Sequence, residues 1–166
     1  MELTARSISK AIQEVYECRD QLIEAVEQLI RQLTEQGTQI AKIQVASMEA
    51  VDTDELEQSI YGYYDPQSRI GYVIAGAAHA FYVEYGTGPI GEASPHPEPD
   101  RVGWEYNIGP TIHLNEKHPE WGVGWYYPGD DGKWHWTQGQ PSRPFMYNTF
   151  VWLEEAAESL GRNILT

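Results

Sequence analysis

The residues with the clearest chemical potential sit near the middle of the chain. Glu84 lies inside the largely apolar run His79-Ala-Phe-Tyr-Val-Glu-Tyr-Gly-Thr-Gly88, where a carboxylate has two plausible uses. Paired with a second acid such as Glu92, Asp100 or Glu105, it would act as acid or base in glycoside cleavage. Alone, it would accept hydrogen bonds and hold the chain where Gly86 stops a short helix or strand. No spacing rule selects an acid partner, so both uses stand. Trp121, Trp125, Tyr126, Tyr127, Trp134 and Trp136 add rings able to stack on sugars. At alternating strand positions the same rings would bury a hairpin face against a helix.

Five histidines, His79, His96, His113, His118 and His135, raise metal coordination. None stands at ligand spacing, and the chain has no Cys pair or acidic calcium loop. Gly86-x-Gly88 leads into Pro89 and Gly91, without the helix and lysine of a phosphate cradle, and no nucleophile elbow or dinucleotide fingerprint is present. The sequence therefore implies neither a metal nor another cofactor.

The elements that must position Glu84 follow from periodicity. Between Ser7 and Gln36, Ile8, Ile12, Val15, Tyr16, Leu22, Ile23, Val26, Leu29, Ile30 and Leu33 recur at helical spacing, which predicts an amphipathic helix with Ser7 as N-cap and Gly37 as its end. At ~1.5 Å per residue such a helix is roughly 45 Å long. Its stripe must pack on its own domain or on a neighbouring subunit, and is too broad for a strict two-stranded coiled-coil seam. A helical segment from Thr38 to about Val51 follows or continues it. Asp52 reads as the N-cap of a short helix through Gln58. Ser59 to Tyr64, the turn Asp65-Pro66-Gln67-Ser68 and Arg69 to Ala75 predict a β-hairpin.

All ten prolines lie between Pro66 and Pro144. Residues 89–121 are dense in turn residues and predict a long loop, of a kind usually functional or ordered by a partner. Gly124 to Thr137 predicts a second, aromatic hairpin around Pro128-Gly129-Asp130-Asp131-Gly132. Ser142 reads as the cap of a last helix with Pro144 in its first turn. Phe145, Thr149, Trp152, Leu153, Ala156 and Leu160 would form its buried stripe, and Gly161 its end. The whole is a single α+β domain over 1–166. It comprises a long helix (1–37), a helix, hairpin and pivot (38–88), a loop (89–121), and an aromatic hairpin with a C-terminal helix (122–166).

Composition narrows the classes further. A net charge of −14 argues against gripping nucleic acid, because phosphate binding needs clustered Lys and Arg. The single cysteine, Cys18, allows no intrachain disulfide. No run approaches the ~18 apolar residues of a membrane span, and the N-terminus lacks a secretory pattern, so a soluble protein made in the cytoplasm is expected.

Three stretches in order, Val51-Asp-Thr-Asp-Glu-Leu-Glu-Gln-Ser-Ile60, Ala80-Phe-Tyr-Val-Glu-Tyr-Gly-Thr-Gly88 and Gly139-Gln-Pro-Ser-Arg-Pro-Phe-Met146, resemble the tail-component family of tailed bacteriophages. Asp54 stands where that family usually has Gly, and Glu57 where a basic residue is common. The resemblance implies a non-enzymatic virion protein of the neck, for tail completion or head-tail joining. It implies a ring of copies around the DNA channel, beside head-closure and tail-tube or terminator proteins, with DNA passing through without specific binding and no membrane partner. Glu84, Tyr85, Gly86, Thr87, Gly88, Arg143, Pro144 and Phe145 become the pivot and assembly candidates. Glu84 is expected to accept loop backbone N–H groups or to pair with Arg143. Trp125, Tyr126, Tyr127, Trp134 and Trp136 carry the alternative, a carbohydrate- or cell-wall-binding or cleaving module.

Overall fold

The computed structural model describes residues 5–48, 53–106, 112–129 and 131–164. Helix α1 runs unbroken over Ala5–Ala46, about 63 Å at ~1.5 Å per residue. It is already helical at Ala5, so Ser7 lies in its first turn instead of capping it. Nor does Gly37 end it. A Cβ built there would fall 2.9 Å from Leu153 Cδ1 and 3.1 Å from Val73 Cγ2. This glycine serves close packing, which sequence alone does not distinguish from a stop signal.

A short helix α2 (Thr53–Gln58) leads into strands β1 (Ile60–Asp65) and β2 (Ile70–Ala75). Asp52, the expected cap of α2, lies outside the described residues. The strands pair antiparallel from Ile60↔Ala75 to Asp65↔Ile70. The hairpin lies flat on α1 because Gly62 and Gly71 face Thr38 and Thr34, leaving no room for a Cβ at either. Arg69 Nε reaches Glu27 Oε1 at 3.0 Å, and the Arg31 guanidinium sits 4.0 Å above the Tyr64 ring.

The hairpin turn is held by its own aspartate. Asp65 accepts the Ser68 hydroxyl at 2.6 Å and the Gln67 N–H at 2.9 Å. These bonds, the Ser68 one foremost, hold the carboxyl below its ordinary 3.8. A depressed folded value means that the stabilisation is present above the unfolded pKa and is lost as pH falls through the folded one. Asp65→Ala is therefore expected to lower the urea midpoint near neutrality, with the gap from the parent closing well below pH 3.8. A gap of constant size across that range would show that the carboxylate is not the cause.

Helix α3 (Ala80–Tyr85) follows the hairpin. Residues 89–121 are not the plain loop expected. They hold most of α4 (Gly88–Ala93), 3-10 turns at Pro99–Arg101 and Pro119–Trp121, and strand β3 (His113–Leu114). Strands β4 (Val123–Pro128) and β5 (Trp134–Thr137) form the second hairpin, and β3 adds to β4, making a three-stranded sheet β3-β4-β5 separate from β1-β2. Helix α5 (Phe145–Ile164) packs along α1. It passes through Gly161, where Arg162 bonds Glu158 one turn back through both the carbonyl and the carboxylate.

The architecture is α+β. Its core is built by Ala41 and Val45 of α1, Leu56, Ile60, Ala80, Val83 and Phe145, all nearly or fully buried. Each of the three stretches that carry the phage resemblance places residues here. Among the described residues, no helix is long and apolar enough to cross a membrane.

Candidate functional site

Glu84 is the node of the molecule. Helix α3 is amphipathic over little more than a turn, with Ala80, Val83, Glu84 and Tyr85 buried. It ends at Gly86, whose φ of 76° and ψ of 172° lie in a region open essentially to glycine alone. Thr87 then pairs with Gln140 as an isolated antiparallel bridge, Thr87 N–H to Gln140 O at 2.9 Å and Gln140 N–H to Thr87 O at 3.1 Å. Arg143 N–H donates to Val83 O at 2.8 Å, and the Ser142 hydroxyl to Glu84 O at 2.6 Å. Two of the three resembling stretches are thereby sewn together.

The Glu84 side chain completes the seam. Oε2 accepts the Met146 N–H at 2.8 Å and Oε1 the Tyr147 N–H at 2.9 Å. Pro144 O accepts the first helical bond of α5, from Asn148 N–H at 2.9 Å, so Pro144 occupies the cap position yet has no side-chain acceptor. Glu84 supplies one from 62 residues away, with a negative charge at the positive end of the helix dipole. Ser142, the expected cap, is turned toward α3 instead. The donors to Glu84 are backbone N–H groups, as anticipated, but they belong to the first turn of α5 and not to a loop. Arg143, the other expected partner, gives Nη1 to Gln140 Oε1 at 3.2 Å.

A third donor fixes the carboxylate. His96 Nε2 lies 3.1 Å from Glu84 Oε1, with both side chains buried. His96 Nδ1 is 2.9 Å from the Glu98 N–H, a contact that requires an unprotonated Nδ1. The proton consequently sits on Nε2 and is donated to Glu84. Rings enclose the pair, with Tyr85 at 4.3 Å and Tyr147 edge-on at 5.4 Å from His96, and Trp104 at 5.2 Å from Tyr85. Burial, and then the charge of Glu84, push the Tyr85 hydroxyl above its ordinary range. Trp104 Nε1–H donates to Gly86 O at 3.1 Å, Gly88 N–H to Tyr106 O at 2.6 Å, and His96 N–H to the Tyr106 hydroxyl at 3.1 Å. Trp104 and Tyr106 are site residues that sequence reasoning missed, and His96 entered it only as a metal candidate. Their one signal was aromatic type within a Pro-rich stretch.

Beside this node runs an apolar cleft of about 490 Å³, walled by Val73, Ala75, Phe81, Val102 and Phe150, with Glu84 and His96 at its base. Glu92, Asp100 and Glu105 are all exposed. Glu84 itself is committed to three donors, and none of its contacts described above is to a second acid. Among the described residues, no group of three or more His, Cys, Asp or Glu side chains could hold a metal ion.

The aromatic hairpin does not offer one face. Pairings Trp125↔Thr137, Tyr126↔Trp136, Tyr127↔His135 and Pro128↔Trp134 divide the rings between two sides of the ribbon. Tyr126 and Trp136 meet edge-on at 4.9 Å, with His113 beside Trp136. Trp125 turns the other way and lies over Gly88, where a Cβ would fall 2.6 Å from Trp125 Cζ3. Trp134 is 69% exposed. Trp125 thus packs the hairpin onto α4, while Tyr126, Tyr127 and Trp134 are exposed and Trp136 is half-buried.

The arrangement described is a mechanical joint: a carboxylate and an imidazole that pin the start of one helix to the end of another. No protein-family model, curated protein or solved structure matches the chain.

Proposed function

We propose that this chain is a structural component of the neck of a tailed phage or prophage, acting in tail completion or head-tail joining as one of several copies around the DNA channel. The carrying observation is the division of α1. Its C-terminal half is packed into the body, whereas from Arg6 to Leu22 every side chain is exposed, large apolar ones included. A helix with half its apolar stripe in water is an assembly element, because such a stripe gains free energy only when something covers it. The joint at Glu84 supports the same reading, since it ties two of the three resembling stretches into a rigid unit. The net charge of −14 suits a wall along which DNA slides without adhering.

The carbohydrate reading is weaker on two observations. The five rings of β4 and β5 are split between two sides of the ribbon, with Tyr126 and Trp136 packed edge-on against each other and Trp125 turned onto Gly88, and Glu84 has its oxygens engaged by structural donors. Mass spectrometry of purified particles is the deciding experiment. The chain is expected in them at a fixed stoichiometry to the portal, and its deletion is expected to leave DNA-filled heads without attached tails. Particles lacking the chain, or normal particles after its deletion, would refute the proposal. Retention on peptidoglycan would favour the sugar module instead.

A further inference from the structure

The exposed half of α1 has a pattern that specifies more than stickiness. Ile8, Ile12, Val15, Leu22, Val26 and Leu29 follow alternating steps of four and three, with Arg19 at the one polar position between Val15 and Leu22. This is a heptad register. The flanking positions are also uncharged, with Tyr16 and Ile23 on one side and the small residues Ala11, Cys18 and Ala25 on the other. Every carboxylate of this segment, from Glu14, Glu17 and Asp20 to Glu24 and Glu27, falls on the remaining positions. Arg19 turns aside, 2.7 Å from Asp20 and stacked 5.0 Å from the Tyr16 ring.

We infer that this face is the contact between copies of the chain, the distal halves of α1 packing side by side as a helical bundle. Two arguments select a second copy as the occupant. The first is charge: chains of net charge −14 repel one another, and the arm presents an acid-free face over its whole exposed length while keeping its acids on the outer side. The second is area. Six side chains, Ile8, Ile12, Val15, Tyr16, Leu22 and Val26, are 38–68% exposed. At roughly 100 Å² each they offer about 600 Å² per copy, and two such faces exceed the ~1,000 Å² that a specific interface needs. Small residues along one flank let backbones approach, and the wide uncharged arc accommodates more than one neighbour. The inference deepens the neck reading by naming the surface through which copies meet, and rests on that reading only for the closure of a ring.

Light scattering and sedimentation equilibrium of the full chain across the micromolar range test it. The parent is expected to rise with concentration to multiples of 18.9 kDa. Val15→Asp and Leu22→Asp, at exposed positions of the arm, are expected to weaken association at least tenfold while keeping the parent's helical circular dichroism and Tm. Phe81→Asp, on the rim of the apolar cleft, is expected to associate like the parent. A parent that stays monomeric, arm variants that associate unchanged, or a Phe81→Asp variant that dissociates as strongly, which would seat the arm in a neighbour's cleft, would each overturn it. A chain that associates through its arms but is missing from particles would keep this inference and lose the neck reading.

Discussion

Glu84→Ala is expected to cost the fold on the order of 3–5 kcal/mol, because it leaves several donors unsatisfied at roughly 1–3 kcal/mol for each that is fully buried. Three donors lose their acceptor at once: the N–H groups of Met146 and Tyr147 and the Nε2–H of His96. Two of them are orphan donors of a helix start that has no local cap. At roughly 2–4 °C per kcal/mol for a chain of this size, the Tm should fall by about 10 °C. Glu84→Gln keeps one acceptor oxygen but turns an NH₂ toward a donor, so an intermediate loss is expected. His96→Ala combined with Glu84→Ala should cost less than the sum of the two, because in the double variant no imidazole donor is left stranded. Denaturant melts of the four proteins check this. An unchanged midpoint in Glu84→Ala would remove the carboxylate from its role as the joint of the fold.

Gly86→Ala is expected to be of similar severity, about 3 kcal/mol or more, for two separable reasons. Its φ and ψ lie in a region that costs a side-chain-bearing residue roughly 1–3 kcal/mol. The new Cβ would also fall 2.5 Å from Ser142 N and 2.9 Å from Gln140 O, backbone atoms of the strand-like segment that Thr87 bridges. They cannot yield without breaking that bridge. Gly103 provides the control. It too has positive φ, 64°, but a Cβ there meets nothing within 4 Å, so Gly103→Ala should lose only the conformational part, about 1 kcal/mol. Equal losses at the two positions would show that packing at Gly86 contributes nothing.

What was legible in the sequence was local. The turn at Asp65 announces itself because donors and acceptor lie within three residues, and the stripe of α5 from Phe145 through Thr149 to Leu153 reads correctly because helical periodicity is a local property. The halt at Gly86 reads for the same reason. The errors at Gly37, Ser142 and residues 89–121 share one cause, contacts made far along the chain. Gly37 looks like a helix end until Leu153 and Val73 are placed against it. Ser142 looks like a cap until Glu84 arrives from α3. Residues 89–121 look like loop because what orders them is remote: Trp104 and Tyr106 reach back to Gly86 and Gly88, and His96 to Glu84. The node was therefore found, but its ring of supports was not.

The remote cap also bears on folding kinetics. A serine or aspartate at a helix start closes its bond within nanoseconds of the turn forming, whereas Glu84 can reach Met146 only after a segment of 62 residues has been closed by everything that packs α3 beside α5. The first turn of α5 is therefore expected to be sealed late, after the folding barrier. Contacts formed after the barrier govern how slowly a protein comes apart far more than how fast it assembles. Most of the stability lost in Glu84→Ala should consequently appear as faster unfolding with little change in folding rate. A φ-value near zero for Glu84→Ala would make the carboxylate a latch, adding little to assembly and much to the lifetime of the assembled domain, and a value near one would refute it.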